Sequence, residues 1–348
     1  PIAFGRGSFL GGIDQMRWGL IGASTIASEH MIGAIRATGG LVEAVASTDE
    51  ARARDYAVAH GIARSTTRVE DLLALPEIEA VYISSTNEKH HAQAMAALRA
   101  GKHVLCEKPL AMTVADAAAM VIFAKTSGRV FATNHHLRCS GSHRTIRGLI
   151  AQGRVGRVLS LRLFHAVHLP QALQGWRIAD AAAGGGVIPD ITVHDADVAR
   201  FLLGEDPLTV VAQSATSGMG RGVEDSAMSV WTTASGVMVQ SHESFTHPFA
   251  GSGLEVHGTQ GSIFATGVMT QAPVGEIVLV TAAGRETVPF PKHDLYAQGV
   301  KDFLAAVEGK GPPAATGRDG VASLAVALAV REAARTGIRQ TVDYGVAA

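Results

Sequence analysis

From residue 17 to residue 134 short apolar runs alternate with segments of helical spacing, and this alternation restricts the chain to very few folds. Trp18, Gly19, Leu20, Ile21 and Gly22 read as a short buried strand, and residues 25–37 follow with Ile26, Met31, Ile32 and Ile35 at helical spacing. The pattern repeats with strands at 41–47, 80–84 and 103–106 and helices at 50–60 and 88–100. Thr113 opens a further helix with Asp116 at the capping-box position, and residues 129–132 supply one more strand before Asn134. Strands separated by helices in this way build a parallel sheet.

Past residue 134 the pattern shifts to longer alternating stretches at 158–168, 209–215, 227–233, 237–243, 254–257 and 276–281. These predict a large, mostly antiparallel sheet. Helices at 191–203 and 295–308 interrupt or close it, and a last helix covers 319–335. At 348 residues the chain is long enough for two cores with a cleft between them, taking roughly 150 residues per domain. The expected division is 16–134 and 135–348. Residues 1–15 are Gly-rich and are expected to stand outside the fold, with Met16 as the natural start.

Lys and Arg (30) nearly balance Asp and Glu (31), which removes the basic excess of a nucleic-acid binder and leaves a small ligand as the expected partner. The apolar run 321–330 is cut by Arg331, well short of the roughly 20 residues a membrane helix needs, so no membrane partner is expected. Cys106 and Cys139 stand at no metal-ligand spacing and are too few for a disulfide scaffold, which points to a reducing, cytoplasmic compartment. The open sheet of the second half leaves monomer and homodimer equally open.

The turn after the first strand sits where a Rossmann fold binds the pyrophosphate of a dinucleotide. Its glycine pattern is degraded, with Gly22 at the first position, Ser24 at the second and Ala27 at the third. The setting between strand and helix supports a dinucleotide site nonetheless, and the Ser24 hydroxyl is a candidate phosphate donor. About 20 residues on, where NAD enzymes present a carboxylate to the ribose, this chain has Ser47 and Thr48. Two hydroxyls can donate to a 2'-phosphate and Arg52 can neutralise it, so NADPH/NADP is the expected cofactor. Asp49 would serve NAD if its side chain turned inward, and Arg52 also reads as an ordinary helix-surface charge.

Reducing a ketone by hydride leaves an alkoxide that needs a proton or a positive charge. Glu107-Lys108-Pro109 falls at the carboxyl edge of the parallel sheet, although lysines at strand ends are commonplace. Asp190 and His194, four apart after Gly184-Gly185-Gly186, fall on one face of a helix. Lysine, carboxylate and imidazole would form a donor cluster. The rival readings are a metal pair joined by His165 or His168, and a structural helix start capped by Asp190.

The opening residues 19–27, the Glu107-Lys108-Pro109 tripeptide, the Asn134-His135-His136 segment with Arg138, and residues 184–201 together resemble the glucose-fructose oxidoreductase / inositol dehydrogenase / MocA family over residues 17–337. The likeness is sharpest to members that reduce an anhydroketose with NADPH, in Ser24, Ala27, Ser47, Gly175-Trp176-Arg177 and Val268-Met269-Thr270. It implies an α/β Rossmann domain with a parallel sheet, then an α+β domain with a large antiparallel open sheet. It further implies that Lys108, Asp190 and His194 are catalytic, with Lys108 or His194 protonating the alkoxide, and that a sugar is the substrate. By the same resemblance Gly22, Ala23, Ser24, Thr25, Ile26, Ser47, Thr48 and Arg52 hold the adenosine and phosphates. Thr86, Asn87, His90, Glu107, Lys108 and Asn134 line the ribose and nicotinamide, Trp176 and Arg177 close over the cofactor, and Tyr296 touches substrate. Asn87 stands where most members carry proline. Plainer alternatives remain: Trp176 as a core aromatic with Arg177 as its cation partner, and Thr86, Asn87 and His90 as helix caps. An NAD-dependent dehydrogenase of another sugar or inositol, and a dinucleotide-sensing protein without catalysis, are the competing functions.

Overall fold

The computed structural model describes residues 15–345, so the N-terminal extension expected at 1–15 lies, but for Gln15, outside the described residues. Among the described residues six parallel strands form the first sheet: β1 (Arg17–Ile21), β2 (Leu41–Ala46), β3 (Arg64–Thr66), β4 (Ala80–Ile83), β5 (His103–Cys106) and β6 (Phe131–Thr133). They are joined by α1 (Ile32–Ala37, entered through a π-helical turn at Ala27–Met31), α2 (Glu50–His60), α3 (Val69–Leu73), α4 (His90–Arg99) and α5 (Val114–Ser127). The spatial order β3-β2-β1-β4-β5-β6 reverses direction between β1 and β4, and a sheet of this kind opens a crevice there at its carboxyl end. Every residue of β4 is buried, as expected of a strand covered on both faces. Asp49 starts α2 by accepting from the Arg52 amide, and Thr113 starts α5 by accepting from Asp116.

The second half contributes α6 (Gly141–Ala151), β7 (Val158–Ala166), the single turn α7 (Gln171–Gln174), and α8 (Val193–Leu203), which is entered through another π-helical turn at Ile188–Thr192. Then come β8 (Pro207–Ala215), β9 (Ser226–Thr233), β10 (Met238–Ser244), β11 (Gly253–Gly258), β12 (Gly261–Thr266), β13 (Glu276–Thr281) and β14 (Gly284–Thr287). Helices α9 (Leu295–Val307) and α10 (Gly317–Thr336) and the short β15 (Gln340–Thr341) close the chain. The nine strands run in the order β14-β13-β12-β11-β7-β10-β9-β8-β15, antiparallel except where β7 meets β10. On β9, Ala227, Ser229 and Trp231 turn inward while Met228 and Val230 face out, the alternation of a half-covered sheet.

Several elements escape the sequence pattern. The edge strands β3 and β14 contain no apolar side chain, and β12 buries only Ile263 and Ala265 behind a leading glycine. In α6 Ile146 is separated by Arg147 and Gly148 from the apolar end Leu149-Ile150-Ala151, and the residues before it are polar or glycine. A larger departure concerns the last two helices. α9 inserts Leu295, Tyr296, Val300 and Phe303 into the same core as Trp18, Met31 and Ile35, with the Trp18 and Phe303 rings 5.1 Å apart. α10 buries Val321 and Leu324 against the first sheet's core and Val326 and Val330 in that of the second. Apolar spacing marks a helix face as buried without saying which sheet it covers.

A polar clamp ties the turn at His136–Cys139, just past β6, to α8 and α10. Arg138 donates through Nε to both oxygens of Asp197 on α8 (3.0 and 2.8 Å) and through Nη2 to Asp319 on α10 (3.0 Å), and Arg200 donates to the same Asp319 (3.1 Å). Asp197 is almost wholly buried, so removing its partner strands a charge in the interior. Arg138→Met is expected to lower the unfolding free energy by about 3–5 kcal/mol, read as a fall in denaturation midpoint at unchanged slope.

Candidate active site

A cavity of about 810 Å³ lies where the carboxyl ends of β1, β4 and β5 face β7 and the π turn that leads into α8. The turn after β1 forms one end of it. Gly22 has φ +112°, and a Cβ there would come within 2.9 Å of the Ser84 carbonyl carbon and the Ser85 nitrogen, so only glycine fits. Ala23, Ser24, Thr25 and Ile26 continue the wall. The Ser24 hydroxyl donates to Ser84 (2.7 Å) and accepts from the Ala27 amide (3.2 Å), so its hydrogen is engaged within the protein and not free for a phosphate. Tyr56, which no motif flagged, steadies the turn by donating to the Ser24 carbonyl (2.9 Å).

Ser47, Thr48 and Arg52 line the same end. Arg52 Nη2 reaches back across the turn to the Ala23 carbonyl (2.6 Å), which separates it from an ordinary surface charge. Asp49 is off the wall, its carboxylate holding the Arg52 amide at 2.7 Å as the cap of α2. Thr67 and Val69 complete this end and were not anticipated; they follow β3, the edge strand without an apolar signal.

In the middle of the wall, Thr86, Asn87 and His90 are brought together, and none caps the following helix. Thr86 donates to Glu88, Asn87 Nδ2 donates across the cleft to the Gly184 carbonyl (3.1 Å), and the buried His90 ring lies between the carbonyls of Pro109 (2.8 Å) and Ser85 (3.1 Å). Glu107 accepts at Oε1 from Tyr82 (2.5 Å) and from Asn134 (2.6 Å). Asn134 therefore sits behind Glu107, away from the cavity wall where it was expected.

At the far end Lys108 Nζ donates to Asp190 Oδ1 (2.9 Å) and to the Asp190 carbonyl (2.8 Å). Asp190 lies inside the π turn and makes no cap; Arg177 Nε approaches its other oxygen at 3.5 Å. Burial opposes the carboxylate's charge, but Lys108 and Arg177 prevail and bring its pKa to about 2. Two cations thus occupy the carboxylate that a metal pair would have needed. His194, one turn later, lines the cavity beside His136, ring centroids 5.0 Å apart. Burial, then the Lys108 charge, pushes the His194 imidazole well below its usual pKa. Trp176 and Arg177 are half-buried on the wall and stacked, with the guanidinium 4.7 Å from the ring, so Trp176 is no core aromatic. Tyr296 reaches the cavity from α9 and is sandwiched between His30 (4.6 Å) and His136 (5.2 Å). His136 also faces the cavity without having been anticipated as a site residue, and His165, weighed from the sequence only as a metal ligand, lines it as well; their positions near strand ends were the available signal.

The fold and this wall define a dinucleotide-dependent oxidoreductase. Residues 16–135 match the model of the oxidoreductase family with an NAD-binding Rossmann fold, and residues 143–264 match the GFO/IDH/MocA C-terminal domain. The chain belongs to the GFO/IDH/MocA family. It is 54% identical to 1,5-anhydro-D-fructose reductase from Ensifer adhaerens, over 95% of this chain and 99% of that one. Inositol 2-dehydrogenase from Rhizobium meliloti is 30% identical over 92% of this chain and 97% of its own length. Among solved structures, aldose-aldose oxidoreductase from Caulobacter crescentus, complexed with glycerol, superposes with a TM-score of 0.86 at 24% identity, covering 94% of this chain and all of that one. The chain is thus an NAD(P)-binding oxidoreductase whose near relative acts on a sugar ketone.

Buried neutral histidines give the fold a pH limit. Burial lowers His135 to about 4, outweighing the Asp197 charge, and lowers His143 to about 4 as well. Once unfolded, each takes up a proton below about 6.5, so their stability contribution is complete above that pH and is lost as the pH falls toward 4. Between these values the unfolding free energy is expected to drop by about 1.4 kcal/mol per pH unit for each such histidine. Denaturant titrations from pH 7 to pH 4.5 would measure it, and a flat profile would refute the neutral assignment.

Proposed function

We propose that the protein reduces the C2 ketone of 1,5-anhydro-D-fructose to 1,5-anhydro-D-mannitol with NADPH. The observation that carries this reading is the Lys108 ammonium, seated on the cavity wall in a chain 54% identical to an enzyme of that name. An ammonium has three hydrogens, and Asp190 takes two of them, which leaves one for the ketone oxygen. Lys108 meets the negative charge that develops on that oxygen and supplies the proton for the alcohol. Asp190 keeps the ammonium aimed and is itself held ionised by Lys108 and Arg177. His194, kept neutral by burial and by Lys108, is a poor proton donor but a good hydrogen-bonding partner for a neighbouring hydroxyl.

The crevice suits a dinucleotide, since the Gly22 turn leaves the backbone bare and the helix after it begins at the cavity. Bound there, the reduced nicotinamide supplies the hydride. Ser47 and Thr48 offer hydroxyls to a 2'-phosphate, and Arg52 keeps four of its five side-chain hydrogens after bonding Ala23. Asp49, committed to the α2 cap, presents no carboxylate to repel that phosphate.

Purified protein mixed with NADPH and 1,5-anhydro-D-fructose is expected to oxidise the cofactor, with 1,5-anhydro-D-mannitol as the product; absence of oxidation overturns the proposal. Lys108→Met is expected to reduce kcat by about two to four orders of magnitude while NADPH still binds, and near-normal turnover would remove the lysine from the mechanism. Ser47→Asp combined with Arg52→Ala is expected to move preference toward NADH. Unchanged selectivity in steady-state kinetics would defeat the 2'-phosphate assignment.

A further inference from the structure

Behind the cavity wall a chain of four polar side chains runs from the active site into the core, where the mechanism above makes no use of it. His165, on β7, lines the cavity and places Nδ1 2.9 Å from Asp195 Oδ1. Asp195, on α8, is fully buried, and its Oδ2 is 3.0 Å from the Ser241 hydroxyl on β10. The same hydroxyl lies 2.5 Å from Oε1 of Glu243, also fully buried and paired in register with His165 across the β7–β10 ladder.

Counting hydrogens decides how this chain is wired. A serine hydroxyl carries one hydrogen, yet Ser241 touches two carboxyl oxygens, and ionised carboxylates only accept. With both acids ionised, one of those contacts would set oxygen against oxygen with nothing between them. A single proton on Glu243 resolves it: Glu243 donates to Ser241, Ser241 donates to Asp195 Oδ2, and Nδ1–H of His165 donates to Asp195 Oδ1. The proton belongs on Glu243 because its buried Oε2 makes no well-formed hydrogen bond and has only the neutral Thr192 hydroxyl beside it, whereas both Asp195 oxygens accept. Burial, followed by the Asp195 charge, also drives the Glu243 carboxyl well above its ordinary range.

We propose that Glu243, Ser241 and Asp195 are positioning residues that fix His165 as the Nδ1–H tautomer, so that its Nε2 lone pair accepts a hydrogen bond from a hydroxyl of the sugar. The proposal rests on the reductase reading for the identity of that hydroxyl donor. Lys108 and Arg177 bring only donors to this end of the cavity, and a neutral polyol needs acceptors for its own O–H groups. An imidazole fixed in one tautomer supplies such an acceptor at the cavity face, while the Asp195 charge stays behind it, bonded to His165 and Ser241.

The tautomer is directly measurable. In protein labelled with 15N-histidine, long-range proton–nitrogen spectra distinguish Nδ1–H from Nε2–H rings, and His165 is identified by the signal lost in His165→Gln. At neutral pH, without sugar or cofactor, wild-type His165 is expected to show the Nδ1–H pattern. Glu243→Gln is expected to retain it, since an amide N–H replaces the carboxyl O–H toward Ser241. Asp195→Asn, whose amide can present either end, is expected to mix the tautomers and to raise KM for the ketose about tenfold while kcat changes less than about threefold. An Nε2–H or doubly protonated His165 in the wild type overturns the proposal, as does an Asp195→Asn protein with unchanged tautomer and KM. If Asp195→Asn does not fold, the wild-type and Glu243→Gln spectra still decide the matter. Because the spectra need no turnover, a wild-type protein that fails to reduce the ketose defeats the functional reading alone, and a wrong tautomer defeats this one alone.

Discussion

The ion pair between Lys108 and Asp190 joins the two walls of the cavity, and the geometry of the reactive end follows from it. Lys108 leaves the carboxyl end of β5 in the first half of the chain, while Asp190 belongs to the π turn that feeds α8 in the second. Taking either charge out of water alone would cost several kcal/mol, so each group favours the arrangement in which it meets the other. The ammonium binds both the side chain and the backbone carbonyl of Asp190, which restrains the turn as well as the carboxylate. Arg177 approaches the second carboxylate oxygen and carries Trp176 stacked against its guanidinium, so the same pair also seats the segment that borders the cavity.

A second consequence is electrostatic. His136 and His194 are both buried within reach of the Lys108 charge, and burial first and the lysine second make an additional proton on either unfavourable. The reactive end therefore combines fixed cations, Lys108 and Arg177, with rings that stay neutral and act as hydrogen-bonding surfaces. Such a combination fits a neutral, hydroxyl-rich ligand whose only group gaining negative charge is the oxygen being reduced. In the proposed reaction it also favours Lys108 over His194 as the donor, because a neutral imidazole gives up its N–H far less readily than an ammonium gives up a proton.

The first sheet was legible because its strands are buried on both faces and its helices carry side-chain caps, as at Asp49 and Thr113. The second sheet was legible wherever inward and outward residues alternate, as on β9; strands were lost where few or no apolar side chains mark them, at the edge strand β3 of the first sheet and at β12 and β14 of the second. At the site, residues adjoining strand ends were recoverable: Gly22, Ser47, Thr86 and Lys108 all reach the cavity. What could not be read was the direction in which a neighbouring side chain turns. Asp49 caps a helix instead of facing ribose, Asn134 supports Glu107 from behind, and Ser24 bonds Ser84. His165 joins the wall from β7, distant in the chain, while His136, two residues past Asn134, turns toward the cavity and stacks on Tyr296 of α9.

Two of the helices beside the cavity are entered through π turns, Ala27–Met31 ahead of α1 and Ile188–Thr192 ahead of α8. A π turn contains one residue more than an α turn, so the side chains after it are swung round by about 100° relative to a continuous α-helix. Ahead of α8 this extra residue lets two adjacent stretches of one helix face different tasks. Asp190 turns to Lys108 and Arg177, His194 turns to the cavity, and Asp195, next in sequence, turns into the core to meet His165 and Ser241. Asp197 then completes the Arg138 clamp from the buried side of α8. An uninterrupted α-helix would hold these four polar residues at fixed angles of about 100° per residue and would serve fewer of them at once. The local irregularity that weakens this helix as an isolated element thus offsets Asp190 from His194, Asp195 and Asp197, so that four polar side chains within eight residues each reach a partner or the cavity.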